Sequence, residues 1–383
     1  MYDSIVTGKR SDTAMIVEQV EPIRICFLIL RAYPLFNPDA KGVIGGAEVD
    51  LYLLSTELAK DKNFYVSFVV GDYGQETIEV REGVTVIKSV NIKKNLFLGS
   101  WRIWRALRRA DAHIYLGKAF SLNTFLQALF CKIHKRKYVY RTAHSNECDG
   151  TYISKHPFRS KAVVWAVRTA CRVLTQNHTD AKNLLKTVNI NSQVVRNGCR
   201  LKPLHKTARN VILWAGRSGP LKKPYLFLDL ARQMPELSFT MICQRNVGDM
   251  NYDGLVKEAG KVDNLQFIRR VSYHEIDDYF ERAGVFVSTS DAEGFPNTFI
   301  QACKSATPVL SLNVNPDGFL DKYKCGMCAN GDWELFVDML KKLLNNETAE
   351  KLGRNARKYV EENHDITKIV EQYKCCLTQI AQR

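Results

Sequence analysis

The chain has 383 residues, of which 45% are hydrophobic and 25% charged, and this composition is typical of a globular protein with two domains of about 150–200 residues each. Apolar runs such as Ile25–Leu30 are much shorter than the roughly 18 residues that span a bilayer, and the first 21 residues lack the apolar centre of a secretory signal. The 11 cysteines lie mostly in apolar segments, which favours reduced thiols and a cytoplasmic location over a disulfide framework.

The positive charge of the chain is concentrated in its first half. The formal net charge is +15, and the first 200 residues contribute most of it, with 30 Lys and Arg against 17 Asp and Glu. Between Lys88 and Lys137 there are 12 basic residues and a single acid, Asp111. We therefore expect the first half, but not the second, to face something negatively charged.

Short β-branched runs alternate with helical patterns in the first half, which favours parallel βαβ units. The sequence predicts strands at Arg24–Leu30, Tyr65–Gly71, Ala112–Tyr115, Tyr138–Arg141 and Val173–Thr175. Between them it predicts helices at Gly46–Lys60, Ser100–Arg109 and Thr179–Lys186.

A polar and basic segment without periodicity, Asn197–Asn210, separates this half from a second one with the same alternation. The second half is predicted to have strands at Val211–Ala215, Ser238–Cys243, Gln266–Ile268, Val285–Ser288 and Pro308–Leu312. Its helices are predicted at Tyr225–Gln233, Tyr273–Arg282 and Asn297–Lys304. We therefore predict an α/β protein with an N-terminal tail (1–21), two Rossmann-like domains (22–203 and 204–364) and a C-terminal helix (365–383). In such sheets ligands bind beyond the carboxyl ends of the strands.

Three strand-to-helix loops carry the groups that bind phosphates or sugars. Gly42–Glu48 has paired glycines before a helix, so backbone amides and the helix dipole can attract an anion. Arg217 and Lys222 place a guanidinium and an ammonium in one loop, which suits a diphosphate. Glu293 begins a Gly-Phe-Pro-Asn turn and can accept hydrogen bonds from sugar hydroxyls. Each segment taken alone also has a simpler interpretation as a solvated surface loop.

Four motifs follow one another in a recognisable order. They are GGAE (45–48), VVRNG (194–198), AGR….LKKP (215–224) and EGFPNTFIQA….TPVLSLN (293–313). With these motifs the sequence resembles the family 4 retaining glycosyltransferases of the GT-B fold, over roughly residues 23–380. The resemblance implies two Rossmann-like domains that face each other across an active-site cleft, with a C-terminal helix that can cross back to the first domain.

The resemblance also implies roles for individual residues. Arg217 and Lys222 match the residues that bind the donor diphosphate, Glu293 matches an acid that contacts the donor sugar, and His144 lies where relatives have a histidine in the cleft; these four form the expected catalytic set. His144 also has an interpretation as a structural loop histidine. The expected donor-binding residues are Gly45, Gly46, Arg217, Lys222, Gly294, Phe295, Pro296, Asn297 and Gln301.

Gln301 is a departure from the pattern of the family, which usually has a second acid there that accepts hydrogen bonds from the ribose hydroxyls. An amide has one acceptor oxygen and two donor hydrogens, so it can bind ribose only in an altered way. The exchange is the main argument for the alternative hypothesis, a non-catalytic nucleotide-sugar-binding protein of the GT-B fold.

The expected reaction is transfer of a hexosyl or N-acetylhexosaminyl group from a UDP- or GDP-sugar to a hydroxyl of a glycan or lipid-linked saccharide. The resemblance implies a same-face substitution in which the leaving diphosphate helps to deprotonate the acceptor. No Asp-x-Asp triplet occurs in the sequence, so we expect no metal, and we expect no cofactor other than the nucleotide-sugar co-substrate. Cys325 and Cys328 form an isolated Cys-x-x-Cys motif, and the sequence offers no second cysteine pair or nearby histidine to complete a zinc site.

The segment Trp101–Lys118 is predicted to place Arg102, Arg105 and Arg109 on one helical face. Such a face suits anionic lipid headgroups, and relatives that glycosylate lipid-linked acceptors use their first domain in this way. The alternative is a solvated helix whose tryptophans pack on the sheet. A nucleic-acid partner is not expected, because no helix-turn-helix, RNA-recognition or zinc-finger pattern accompanies the charge.

Overall fold

A computed structural model describes residues 21–91, 96–205 and 208–382 of the chain. Of the tail predicted over residues 1–21, all but Glu21 lies outside the described residues. The described chain forms two sheets, and each sheet is covered on both faces by helices that bury a hydrophobic core.

The first sheet is built, in the described part of the chain, from eight strands. They are β1 (Ile23–Leu28), β2 (Phe64–Val70), β3 (Ile78–Arg81), β4 (Val84–Lys88), β5 (Ile114–Lys118), β6 (Lys137–Arg141), β7 (Arg172–Thr175) and β8 (Gln193–Val194). Their spatial order is β3-β4-β2-β1-β5-β6-β7-β8, with β3 antiparallel to β4 and the other pairs parallel. In β1, Ile25 and Phe27 enter the core on one face and Cys26 enters the core on the other, as expected for a parallel sheet buried on both sides.

Helices connect these strands across both faces of the first sheet. They are α1 (Tyr33–Phe36), α2 (Gly46–Leu58), α3 (Leu96–Ala110), α4 (Leu122–Ile133), α5 (Thr151–Lys155), α6 (Pro157–Arg168) and α7 (His178–Val188). Polar side chains begin two of them: Ser121 accepts a hydrogen bond from the Thr124 amide at α4, and Asn177 accepts one from the Asp180 amide at α7. Helices α1 and α2 pack on one face, whereas α3, α4 and α6 pack on the other.

The second sheet has six parallel strands in the described residues. They are β9 (Val211–Arg217), β10 (Ser238–Gln244), β11 (Leu265–Ile268), β12 (Ala283–Ser288), β13 (Val309–Ser311) and β14 (Gly326–Cys328), in the spatial order β11-β10-β9-β12-β13-β14. The helices of this half are α8 (Pro224–Gln233), α9 (Tyr252–Ala259), α10 (Ile276–Arg282), α11 (Asn297–Lys304), α12 (Phe319–Lys322), α13 (Trp333–Leu343) and α14 (Asn346–Asn363).

The last helix, α15 (Ile366–Ala381), follows the second sheet in sequence but packs against the first domain. Its apolar residues, among them Ile369 and Leu377, join the core beneath α2, and the Tyr373 ring lies 5.6 Å from the Arg141 guanidinium. The C-terminal helix therefore crosses back to the first domain, as the resemblance implies. None of the helices found in the described ranges is both long and apolar enough to traverse a bilayer.

The chain passes between the two domains at two adjacent points. The Cys199 amide donates to the His364 carbonyl at 2.7 Å, and the Ile366 amide donates to the Cys199 carbonyl at 3.0 Å. The imidazole of His364 is fully buried and contacts the Asn197 carbonyl through Nδ1 at 2.7 Å, and this burial lowers its pKa to about 3. A neutral histidine therefore connects the two segments through which the chain passes between the domains.

The predicted fold class is confirmed: two Rossmann-like domains face each other across a cleft. The second sheet has the doubly wound order, with its first strand, β9, third from one edge. The first sheet has the same order over β4-β2-β1-β5-β6-β7, with β3 and β8 added at its edges. The sequence analysis missed the β3–β4 hairpin and several helices, including α4, α6 and α9. The strand predicted over Ala112–Tyr115 instead spans Ile114–Lys118, where it pairs with β1 and β6. Asp50 pairs with the buried Lys118 ammonium at the end of this strand, at 2.5 Å.

Candidate active site

The carboxyl ends of both sheets open into one cleft between the domains. The cleft has a volume of about 590 Å³, which is within the range of sites for small molecules. Residues of both domains line it. Among the residues predicted from the sequence, those that line the cleft are Gly45, Gly46, His144, Arg217, Lys222, Glu293, Gly294, Phe295, Pro296, Asn297 and Gln301.

Arg217 and Lys222 reach the cleft from the end of β9 and the short 3₁₀ helix that follows it. The Thr289 hydroxyl donates to the Lys222 carbonyl at 2.7 Å and accepts from the Trp214 indole at 3.0 Å, so β12 and β9 together fix this loop. The Lys222 ammonium forms an ion pair with the Glu293 carboxylate. Two cations and one acid thus meet at the end of the second sheet.

The neighbouring Lys223 has a different role. It adopts a left-handed backbone conformation, with φ of 45°, and its ammonium pairs with Asp291 at 2.6 Å. Lys223 is not among the residues that line the cleft. Of the two consecutive lysines, Lys222 alone is therefore placed to meet a ligand there.

The first-domain glycine loop is in contact with the second domain. A Cβ on Gly45 would lie 3.3 Å from the Arg217 guanidinium carbon, and a Cβ on Gly46 would lie 3.2 Å from the Asn297 amide nitrogen. That amide donates to the Gly46 carbonyl at 2.9 Å. The Gly45 amide donates to the Glu48 carboxylate at 3.0 Å, so Glu48 occupies a donor that the sequence analysis assigned to an anion.

A buried polar cluster supports the first-domain wall of the cleft. Asp50 pairs with Lys118 and also with Arg141, at 2.8 Å. Burial lowers the pKa of Lys118 to about 8, although the attraction of Asp50 opposes this shift. Arg141 also donates to the Asn197 side-chain carbonyl at 2.7 Å, which connects the cluster to the crossing between the domains.

Glu147 joins two loops of the same wall. Its carboxylate accepts hydrogen bonds from the Tyr140 hydroxyl at 2.7 Å, the Ala143 amide at 2.9 Å and the Phe120 amide at 3.2 Å. Burial raises the pKa of Glu147 to about 7, against the lowering effect of these donors. Because the two loops carry Phe120 and His144, Glu147 fixes the spacing between an aromatic ring and an imidazole in the cleft.

Aromatic side chains complete this wall. Tyr152 of α5 lies edge-to-face against Phe120, with ring centroids 5.1 Å apart, and both residues line the cleft. His144 accepts a hydrogen bond from the Asn146 amide through Nδ1 at 3.3 Å, so its ring orientation is set locally. The wall combines apolar ring surface with polar groups.

Gln301 is half-buried in the second turn of α11 and lines the cleft. The side-chain amide has no hydrogen-bond partner among the residues that the structure describes, which leaves its oxygen and its NH₂ group able to meet a ligand. Within the same described ranges, no group of three or more His, Cys, Asp and Glu side chains could hold a metal ion. The absence of a metal requirement remains a prediction.

Among the first-domain residues that contact the Glu293–Asn297 turn, the sequence analysis assigned no role to Ser145, Gln176 and Asn197. Ser145 donates to the Glu293 carbonyl at 2.6 Å, Gln176 accepts from the Phe295 amide at 3.2 Å, and Asn197 donates to the Asn297 side chain at 2.8 Å. All three lie just beyond strands of the first sheet. Asn197 lies in the VVRNG motif (194–198), whereas the only signal for Ser145 and Gln176 was their position in loops at the carboxyl ends of strands.

Comparison with known proteins finds similarity to a glycosyltransferase family in the second half of the chain. Residues 199–359 match the family model of glycosyl transferases group 1. The chain is 26% identical to the O-antigen chain mannosyltransferase RfbU of Salmonella typhimurium over 187 residues, which are 44% of this chain and 53% of that protein. It is 24% identical to an uncharacterised glycosyltransferase of Haemophilus influenzae over 361 residues, which are 87% of this chain and 96% of that protein.

Solved structures share the whole architecture. The sucrose-phosphate synthase of Thermosynechococcus elongatus superposes with a TM-score of 0.77 and covers 94% of this chain and 99% of its own, at 16% sequence identity. At this identity the likeness concerns the fold alone, which is the GT-B fold.

Proposed function

We propose that the chain is a retaining glycosyltransferase that moves a hexosyl or N-acetylhexosaminyl group from a UDP- or GDP-sugar to a hydroxyl acceptor. The observation that carries the proposal is the meeting of Arg217, Lys222 and Glu293 in one interdomain cleft, opposite the glycine loop of the first domain. The group 1 family match covers the domain that holds these three residues. The two cations can bind a diphosphate, and the adjacent acid can accept hydrogen bonds from the hydroxyls of the attached sugar.

In the proposed reaction, Arg217 and Lys222 neutralise the charge that develops on the leaving diphosphate. Glu293, held by Lys222 in the free protein, exchanges this partner for hydroxyl groups of the donor sugar. The bond between the anomeric carbon of the sugar and the diphosphate oxygen breaks, and the acceptor oxygen bonds to that carbon from the same face, so the configuration is retained. The leaving diphosphate accepts the proton of the acceptor hydroxyl. The protein then contributes positioning and fixed charge, and its cations take the place of a metal ion.

We assign the acceptor to the first-domain side of the cleft and propose that it is a glycan or a lipid-linked saccharide. Phe120 and Tyr152 offer ring surface to the apolar face of a sugar, and His144 and Asn146 offer polar groups to its hydroxyls. The one lysine among the first-domain residues that line the cleft, Lys118, is already neutralised by Asp50. This wall therefore suits a neutral sugar ring better than an anionic group.

We further propose that the first domain rests on an anionic membrane surface at the cytoplasmic side. The exposed face of α3 carries an aromatic ring and four arginines: Trp101, Arg102, Arg105, Arg108 and Arg109. Such a surface brings the cleft near a lipid-linked acceptor while the chain stays outside the hydrocarbon layer.

Nucleotide titration tests the proposed donor site. We expect UDP or GDP to bind the wild-type chain in a calorimetric titration, and Lys222→Gln to weaken this binding about 10- to 150-fold, since a hydrogen bond to a charged group contributes about 1.5–3 kcal/mol. Lys223→Gln is the matched control, because Lys223 pairs with Asp291 away from the cleft, and its affinity is expected to be that of the wild type. If the wild type binds neither UDP nor GDP, the proposed donor site is contradicted.

Turnover separates an enzyme from a non-catalytic binding protein, the alternative that the amide at Gln301 favours. An enzyme releases nucleotide steadily from its donor sugar, and Glu293→Gln is expected to stop this release while the diphosphate still binds. A donor screen across UDP- and GDP-sugars, read by nucleotide release, identifies the substrate. Tight binding without turnover of any donor would leave the binding protein as the remaining explanation.

A further inference from the structure

The Glu293–Asn297 turn belongs to the second domain by sequence, yet its backbone is held largely from the first domain. Ser145 donates to the Glu293 carbonyl at 2.6 Å, and Asn177 donates to the Gly294 carbonyl at 3.4 Å. The approach is so close that a Cβ on Gly294 would lie 3.2 Å from the Ala143 carbonyl oxygen. A larger residue would require the two domains to move apart by a few tenths of an ångström, so this point of contact favours a glycine.

Gln176 is the centre of this contact. It follows β7 directly, is 2% exposed and lines the cleft. Its side-chain oxygen accepts hydrogen bonds from the Phe295 amide at 3.2 Å and from the Asn197 side chain at 3.1 Å, and its NH₂ group donates to the Thr142 carbonyl at 2.9 Å. One side chain thus joins two loops of the first domain to the turn of the second.

The side-chain amide of Gln176 can form its three hydrogen bonds in one orientation only. The Thr142 carbonyl needs a donor, whereas the Phe295 amide needs an acceptor, so rotation of the amide by half a turn would break both contacts. Because the group is buried and its three hydrogen bonds come from fixed backbone and side-chain atoms, its position is closely defined.

We propose that Gln176 is a positioning residue for glycosyl transfer, which holds the Gly294–Phe295 backbone from the first domain so that Glu293 is in place only when the cleft is closed. This inference rests on the proposed function. Arg217 and Lys222 lie in the second domain and can hold a diphosphate without this contact. The role of Gln176 is therefore to align the sugar rather than to bind the nucleotide.

The test separates nucleotide binding from turnover. Gln176→Met keeps the length of the side chain and loses its hydrogen bonds; we expect it to bind UDP or GDP within about twofold of the wild type while kcat for nucleotide release falls about 10- to 100-fold, because small misplacements in an active site have effects of this size. Gln176→Glu keeps an acceptor for the Phe295 amide but loses the donor to Thr142, and is expected to recover part of kcat. Gln127→Met, at another buried glutamine of the first domain, is the control and is expected to retain wild-type kcat.

A second variant guards against a loss of folding. Ser145→Ala removes a different first-domain contact to the same turn, and we expect it too to lower kcat more than nucleotide affinity. Wild-type kcat in both Gln176→Met and Ser145→Ala would overturn the inference, as would equal losses of kcat and affinity. If the wild type binds nucleotide but turns over no donor, the proposed function fails and the inference fails with it; if the wild type is active, the variants test the inference alone.

Discussion

Gln301 is the residue at which the proposed donor site departs from the sequence pattern of the glycosyltransferases that the chain resembles. Its side chain lies in the second turn of the helix whose first turn begins at Asn297, and both residues line the same cleft. A carboxylate at position 301 would accept hydrogen bonds from two ribose hydroxyls, whereas the amide accepts with one oxygen and donates with its nitrogen. In the proposed donor site, the amide would therefore give the ribose a neutral contact that is weaker than the charge-assisted contact of a carboxylate.

We expect Gln301→Glu to bind UDP or GDP about 5- to 30-fold more tightly than the wild type, because the recovered carboxylate contributes about 1–2 kcal/mol. Calorimetric titration measures the difference. Gln233→Glu introduces the same charge at the exposed end of α8, outside the cleft, and its affinity is expected not to change. Weaker binding by Gln301→Glu would mean that the NH₂ group donates to the nucleotide in the wild type.

Sequence motifs were sufficient to identify the residues that meet at the second-domain side of the cleft, since Arg217, Lys222 and Glu293 all lie in matched segments. Their roles stay predictions until the variants are measured. Ser145 and Gln176 could not be identified in this way, because their partners lie 148 and 119 residues further along the chain. Contacts between domains depend on how two folded units approach each other, which no local pattern records.

At the scale of elements, the sequence of α3 left two interpretations open: an arginine-rich face for anionic lipids, or a solvated helix whose tryptophans pack on the sheet. The structure has features of both. Ile103 and Leu107 are buried in the core, and the Trp104 ring packs against Phe130 with centroids 5.1 Å apart. Trp101, in contrast, is 59% exposed, and the Arg105 guanidinium lies 5.5 Å from its ring. One tryptophan therefore packs on the domain, while the other lies on the arginine-rich face.

We expect the chain to co-sediment with phosphatidylglycerol vesicles at low salt, and to lose this binding when the four arginines of α3 become glutamate. Each basic residue near an anionic surface contributes about 1 kcal/mol, and salt screens the attraction. The variant combines Arg102→Glu, Arg105→Glu, Arg108→Glu and Arg109→Glu.

The control makes an equal change of net charge on exposed lysines of the second domain, and it is expected to keep vesicle binding. It combines Lys257→Glu, Lys342→Glu, Lys351→Glu and Lys358→Glu. Equal loss in both variants would show that net charge rather than the α3 face attracts the membrane. A wild type that does not bind vesicles would show that the charge of the first domain serves another purpose.

Most of the strands that the sequence predicted have strong apolar runs and lie in the interior of each sheet, and the predicted helices pack against these sheets. Strand β3 was missed because it lies at the sheet edge, where Ile78 and Val80 are 51% and 68% exposed and do not mark a buried face. Strand β4, with Val84 and Val86 buried, does have the alternating pattern and was overlooked. Helix α14 was missed for a reason related to that of β3. Only a narrow strip of it, including Ala356 and Val360, is buried, and charged residues cover the rest.

At the scale of the whole molecule, an acid of the second domain binds the start of a first-domain helix. Asp317 accepts hydrogen bonds from the His178 amide, the Thr179 amide and the Thr179 hydroxyl, each at 2.9 Å, at the N-terminus of α7. Asp317 itself has a φ of 54°, a left-handed conformation that aspartate tolerates better than most residues. Because α7 begins just after Gln176, Asp317 and the Glu293–Asn297 turn both contact the N-terminal end of this helix.

Protonation should weaken this interdomain contact. Burial alone would raise the pKa of Asp317, but the hydrogen bonds from His178 and Thr179 outweigh it and lower the pKa below its usual value. The closed arrangement is therefore stabilised by Asp317 above the usual carboxyl pKa of about 4, and this contribution is lost as the pH falls through the lowered pKa.

We expect Asp317→Ala to shift the domains toward an open arrangement by about 1–2 kcal/mol, the contribution typical of a side chain that caps a helix N-terminus, and so to change the ratio of open to closed molecules about 5- to 30-fold. Small-angle X-ray scattering at neutral pH should give a larger radius of gyration for the variant, and nucleotide-sugar donor should reduce it. Asp338→Ala removes an exposed acid of the same domain that pairs only with Lys341 among the described residues, and its scattering is expected to match the wild type. If Asp317→Ala scatters as the wild type does and keeps its donor KM, the contacts around Gln176 and Asn297 hold the domains together without Asp317.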